Sequence, residues 1–231
     1  FKNNNIVNDK NNEVIQTMTT SKNHKQINLN VVGDVMAHKP QLQAQYDISS
    51  KSYNFDNNFQ YVNSLIKKSD LSIANLETTL AGSSIPYTSY PAFNSPDALL
   101  DALKNAGVDV LSTINNHSFD KGTLGVKRTL QVTKEKGLEA VGTVQNSNDK
   151  NYIIKDIDDI NLGITSFSYG EVKNGSKYIN GIQISNESKD KMNVFDMYNV
   201  DNAFNTIKED LDNIKDTDIQ MVILHWGSEY Q

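Results

Sequence analysis

Val110-Leu111-Ser112-Thr113-Ile114-Asn115-Asn116-His117 runs an apolar stretch straight into two amides and an imidazole. The same grammar recurs along the chain. Val31-Val32-Gly33-Asp34 ends one apolar run, and Ser72-Ile73-Ala74-Asn75-Leu76-Glu77 ends the next. Met221-Val222-Ile223-Leu224 then leads into His225-Trp226-Gly227-Ser228-Glu229-Tyr230. Polar groups placed just past buried strands gather along the carboxyl edge of an α/β sheet, where such sheets build their sites. Asp, Glu, Asn and His together form the ligand set of hard or borderline divalent metals. The four breaks therefore point to an α/β fold with one polar, metal-linked site.

Outward from these runs, strands and helices alternate. A strand over Ile27–Gly33 sets Ile27, Leu29 and Val31 against Asn28 and Asn30, and a second covers Leu71–Ala74. A helix is expected over Phe59–Lys68. The loop Thr78–Asn94, with Tyr87, Tyr90 and Phe93, is long enough to be functional or lid-like. Ser95-Pro96-Asp97 opens a helix that Gly107 closes, with Leu99, Leu103 and Ala106 as its buried stripe. Another helix spans Thr123–Lys136 and is followed by a strand near Leu138–Val141. That order argues for right-handed βαβ units and a parallel or mixed sheet. Past residue 145, Tyr152–Ile154 and Ile160–Phe167 flank Asp158-Asp159 as an antiparallel hairpin. Residues 170–191 give no clear element. A helix over Asp201–Ile214 spaces Phe204, Ile207, Leu211 and Ile214 helically, and Ile219–Leu224 reads as the last buried strand. Residues 1–26 are Asn/Lys/Thr/Ser-rich and lack an apolar period, so they read as a polar tether to a domain over 27–231.

Composition narrows the function. With 231 residues the chain can bury one good core. A net charge of −6 disfavours nucleic-acid partners, which need a basic surface. It also repels a polyanion unless a local basic patch compensates. The absence of cysteine excludes disulfide scaffolds, thiol catalysis and Cys-ligated zinc. No apolar run approaches the ~20 residues of a membrane helix. The chain opens on Phe1, so a signal or anchor segment is expected upstream.

Each polar break has a candidate role. Asp34, Glu77, Asn116 and His225 are the expected metal ligands. Asn75 and Glu77 lie two apart and share a face of an extended strand. Glu77 either holds or bridges cations, or is merely solvated. His117 is either a neutral ligand or a proton donor to a leaving oxygen, with Asp120 orienting its ring. His225 is a ligand or a core histidine. Asn75, Asn115, Arg128, Trp226, Glu229 and Tyr230 are the expected substrate contacts, with Arg128 on a phosphate or carboxylate or else on a solvated helix face. His38 is a spare ligand beside Asp34.

Taken together, Gly33-Asp34-Val35-Met36, Asn75-Leu76-Glu77-Thr78, Asn115-Asn116-His117 with Asp120, and His225 to Tyr230 resemble the bacterial CapA-like family of poly-γ-glutamate capsule-synthesis proteins. The resemblance implies a metallophosphatase-like α/β/β/α sandwich with mixed sheets and a divalent metal such as Mn, Fe, Zn or Mg. It implies an extracytoplasmic, membrane-anchored protein at the cell surface. Its members support synthesis, export or retention of an anionic γ-glutamyl polymer beside membrane-bound capsule-synthesis partners. Two departures stand out. Met36 occupies a position where related metallophosphatases carry a histidine ligand, and Gln231 precedes a later His-rich motif, so the domain is expected to be incomplete at its C-terminus and this chain to bind a divalent metal weakly or not at all. A polymer-assembly role and a metal-dependent hydrolase are the two readings, and the first is preferred.

Overall fold

Short apolar runs form two sheets stacked face to face in the computed structural model, which describes residues 25–227. The first half of the chain supplies β1 (Leu29–Val35), α1 (Lys39–Ala44), β2 (Tyr46–Asp47), β3 (Ser52–Tyr53), α2 (Asn63–Ile66), β4 (Leu71–Leu76), α3 (Ala98–Ala106), β5 (Val110–Ser112), α4 (Gly122–Glu135) and β6 (Glu139–Val141). Its main sheet is ordered β1-β4-β5-β6, with every pairing parallel. The second half supplies β7 (Tyr152–Ile157), β8 (Ile160–Lys173), β9 (Ser176–Ile179), β10 (Ile182–Gln183), β11 (Val194–Asp196), α5 (Val200–Asn213) and β12 (Ile219–His225). Here β8 is central: β7 and β9 pair with it antiparallel, β11 and β12 parallel. The result is a mixed α/β fold.

Alternating side chains on the strands dictate the layers. Leu71, Ile73 and Val110 of the first sheet meet Leu162 and Ile164 of the second, with Met221 and Ile223 alongside. Between the sheets, the hydroxyls of Ser112 and Ser166 lie 2.7 Å apart. The opposite face of the first sheet buries Ala74, Leu76 and Leu111 against Leu99, Leu100 and Leu103 of α3. On the outer face of the second sheet, Thr165 donates a 2.7 Å hydrogen bond to Asp210 of α5.

Several expected elements form as read. Helix α3 follows Pro96 and stops at Gly107, whose φ of 100° is the left-handed cap a side chain resists. The β7–β8 hairpin turns on Asp158 and Asp159, both at positive φ.

Other expectations are corrected. Strand β1 continues through Gly33-Asp34 and is a sheet edge, which leaves Val31 51% exposed instead of inward. The helix expected over Phe59–Lys68 breaks into a 3-10 turn at Asp56–Phe59 and the single turn of α2, where only Ile66 is buried. Asn57, Asn58, Asn63 and Ser64 favour turns over helix, and Phe55 takes the core position instead. Residues 170–183 alternate strand and tight turn: β8 extends to Lys173, then two turns at Asn174-Gly175 and Asn180-Gly181 lead into β9 and β10. Strand β12 is an edge, with Ile219 and Leu224 exposed, and Phe204 on α5 is 64% exposed. Most of the expected tether lies outside the described residues.

A candidate metal centre where the two sheets meet

Three strands end together at this place. The register of β1 against β4 shifts between Val32 and Val35, an irregularity that releases Asp34 from the ladder. Asn75 sits near the end of β4, Glu77 follows it, and His225 closes β12. One side-chain ligand atom from each of Asp34, Glu77 and His225 lies within 4.8 Å of the others. Glu77 is buried, His225 half-buried and Asp34 exposed, so the cluster opens to solvent on the Asp34 side. Asn116 Oδ1 accepts from His225 Nε2 at 3.0 Å.

Asn75 is the hub of the cluster. Its amide nitrogen donates to Asp34 Oδ1 at 2.6 Å and Glu77 Oε2 at 3.2 Å, and stands 3.5 Å from His225 Nδ1. Asn115 fixes that orientation by donating to Asn75 Oδ1 at 3.0 Å and to the Leu76 carbonyl at 2.8 Å. The i, i+2 spacing of Asn75 and Glu77 thus places both on one side, as strand geometry requires.

The Asn-Asn-His turn is built by its own side chains. Asn115 Oδ1 accepts from the His117 amide at 3.1 Å, and Ser118 Oγ accepts from the Asn115 amide at 2.7 Å. Gly142 passes so close beneath that a Cβ there would lie 2.2 Å from Ile114 Cγ2. His117 and Asp120 form a buried pair, with Nδ1 2.8 Å from Oδ2. Asp120 Oδ2 also accepts from the Phe93 amide at 2.6 Å, while its Oδ1 is buried without a hydrogen-bond partner. Phe93 meets both His117 and His38 edge-on, at centroid distances of 4.7 and 5.0 Å.

Oxygen and nitrogen donors with two carboxylates in so small a volume favour a hard or borderline divalent cation. Asp34, Glu77 and His225 each offer one such donor, and Asn116 Oδ1 lies beside His225 Nε2. His117 and Asp120 adjoin it through the Asn-Asn-His turn. Arg128 is engaged elsewhere: its two terminal nitrogens each reach an Asp97 carboxylate oxygen at 2.7 Å, and Nη1 also donates to the Leu80 carbonyl at 2.8 Å. Those contacts tie the long loop to α3 and α4. Trp226, 69% exposed, meets Phe195 edge-on at 6.4 Å. With Val200, Phe204 and Leu224 it lines an apolar groove of about 200 Å³ on the α5 side. Adjacent residues of an extended chain face opposite ways, so Trp226 and His225 diverge. His38 packs on Phe93 and is outside the ligand cluster. Glu229 and Tyr230 lie outside the described residues.

Sequence reading missed Tyr169, whose ring stacks on His225 at 6.1 Å and 10°. The available signal was register: His225 pairs with Ser168 in the β8–β12 ladder, so the next residue of β8 adjoins it.

Parallel strands ending in carboxylate, amide and imidazole side chains set this chain among α/β proteins with a candidate metal site at the sheet edge. Residues 28–231 match the family model described as "Bacterial capsule synthesis protein PGA_cap", and the chain belongs to that family. It is 25% identical over 213 residues to the "Capsule biosynthesis protein CapA" of Bacillus anthracis, a match covering 90% of this chain and 48% of that protein. The chain therefore spans about half the length of the curated relative it matches. The resemblance read from the four motifs holds: this is a CapA-like capsule synthesis protein.

Proposed function

We propose that the protein acts in assembling a poly-γ-glutamate capsule, supporting synthesis, export or surface retention of the polymer. It does so through a metallophosphatase-type domain spanning 27–231 that holds a divalent cation on Asp34, Glu77, Asn116 and His225. The observation that carries this reading is the approach of the Asp34, Glu77 and His225 ligand atoms to within 4.8 Å in a member of a capsule-synthesis family. Bound there, a cation supplies Lewis acidity toward a substrate oxygen. Asn75 orients the two carboxylates, and Asn115 holds Asn75. Tyr169 walls the His225 side. No helix among the described residues is long and apolar enough to cross a membrane. In this reading the polar segment 1–26 links the domain to an anchor outside the chain, and the domain works at the cell surface beside membrane-bound partners.

A metal-dependent hydrolase is the second reading, and the buried His117–Asp120 pair at 2.8 Å favours it. Asp120 binds Nδ1, which leaves Nε2 as the atom that exchanges a proton.

The test compares surface γ-glutamyl polymer and melting temperature for Asp34→Ala and His117→Ala in a full-length protein. Loss of polymer at a melting temperature within a few degrees of the parent supports a functional site. Parental polymer levels in both variants would leave these residues structural. Turnover of a generic phosphodiester by the parent, lost in His117→Ala, would select the hydrolase reading.

A further inference from the structure

We propose that the cleft formed by Lys39, Leu42, Tyr53, Tyr87, Tyr90 and Lys121 binds an extended carboxylate-bearing chain. Two cavities, of about 420 and 340 Å³, share Lys39, Leu42 and Tyr87 and so form one continuous groove. Neither is lined by a carboxylate, although the chain has 28 acidic residues and a net charge of −6. By contrast, a cleft of about 500 Å³ at the amino ends of β4 and β6 sets Lys104 and Lys155 among Asp70, Asp109, Glu139, Asp156 and Asp158, so carboxylates outnumber its lysines. The groove is thus a local reversal of the molecule's charge, which a polyanion needs to approach an acidic protein.

Its two lysines keep ammonium donors for a ligand. Neither Lys39 nor Lys121 forms a salt bridge among the described residues. Lys121 donates once, to the Ala92 carbonyl at 3.1 Å, which leaves further ammonium donors. Aromatic rings stiffen the walls: Tyr53 lies 5.0 Å from Tyr46 and 5.4 Å edge-on from Tyr87. Burial, with Asp97 nearby, raises the Tyr87 pKa, so its hydroxyl stays a neutral donor. Apolar walls with cationic and hydroxyl groups at intervals suit a chain whose methylene stems alternate with carboxylates.

Chain neighbours set this groove beside the Asn-Asn-His turn. Lys39 follows His38, whose ring lies on Phe93, and Phe93 in turn meets His117. Lys121 follows Asp120, the partner of His117. Both lysines are therefore chain neighbours of groups that frame the Asn-Asn-His turn.

The identity of the ligand, a γ-linked glutamate chain, rests on the proposed function; the anionic character of the ligand rests on the groove alone. The experiment measures fluorescence anisotropy of labelled γ-glutamate and α-glutamate oligomers on full-length protein at low salt. Variants are Lys39→Gln, Lys39→Gln with Lys121→Gln, and a control pair on other surfaces, Lys134→Gln with Lys215→Gln. The expected result is saturable binding by the parent, weaker in Lys39→Gln and about tenfold weaker in the groove double variant. The control pair should match the parent. Lys39→Gln keeps the test valid if Lys121→Gln disturbs the loop through Ala92. Binding of α-linked but not γ-linked oligomers keeps the groove and overturns the γ-glutamyl reading. Equal loss in the control pair, or no binding of either oligomer by the parent, overturns the groove.

Discussion

Asp210 shows how much a single side chain depends on its surroundings. It is the buried residue of α5, and its Oδ2 accepts from Thr165 at 2.7 Å and from Asn193 at 3.1 Å. Asn193 also receives the Asn151 amide at 2.5 Å and donates to the Ser166 carbonyl at 3.1 Å, so the network reaches the strand that faces the first sheet. Burial raises the Asp210 pKa, against the hydrogen bonds from Thr165, Asn151 and Asn193 that lower it; neighbouring Glu209 adds a smaller upward push. A carboxyl with a raised folded pKa binds its proton more tightly folded than unfolded. Its contribution is therefore most favourable at low pH and declines as pH rises from the ordinary value of about 3.9 through the raised one. Asp210→Asn keeps an oxygen for both donors and removes the titration. Its melting temperature relative to the parent should rise with pH across that window and level off above it. A difference that does not change with pH would mean that Asp210 does not titrate as its burial implies. In sequence, Asp210 is one acid among several on an amphipathic helix, and nothing marks it. Asn75 and Glu77 were legible because a spacing of two fixes a shared face. Trp226 was misplaced beside the site because the same alternation sends it away from His225.

Among elements, the hairpins separate what was readable from what was read. Asn174-Gly175 and Asn180-Gly181 each carry positive φ at both residues, the geometry of tight two-residue turns. Asn-Gly is the strongest short-range hairpin signal a sequence offers, yet the flanking strands are short and polar, so apolar alternation did not announce them. Helix α3 was legible from its cap and stripe, whereas α2 was not, because its apolar spacing sits among turn-forming residues. A Cβ on Gly181 would meet no atom within 4 Å, so space alone predicts that Gly181→Ala is silent. Its φ of +74° predicts otherwise. Left-handed backbone costs an L residue roughly 1–2 kcal/mol, and the variant should lose about 1 kcal/mol of stability in denaturant unfolding. An unchanged midpoint would show that the turn is not held in that conformation.

For the whole molecule, the decisive feature is that the site draws on both sheets. Asp34, Asn75 and Glu77 come from β1 and the end of β4, while His225 comes from β12 in the other sheet. The class of fold followed from strand–helix alternation, but the contact between sheets did not. Ser112 and Ser166 meet across 54 positions of chain, and a serine in a strand does not reveal its partner. A cation held across the sheets would stabilise their packing by mass action, since it binds only the folded arrangement. The role of the four strand-end groups turns on that ion. Equilibrium dialysis against Mn(II) or Zn(II) measures it directly, with the protein compared to Asp34→Ala and His225→Ala. The expected result is one saturable ion per chain, lost in both variants. A protein that retains no ion, or variants that retain it as the parent does, would contradict the account.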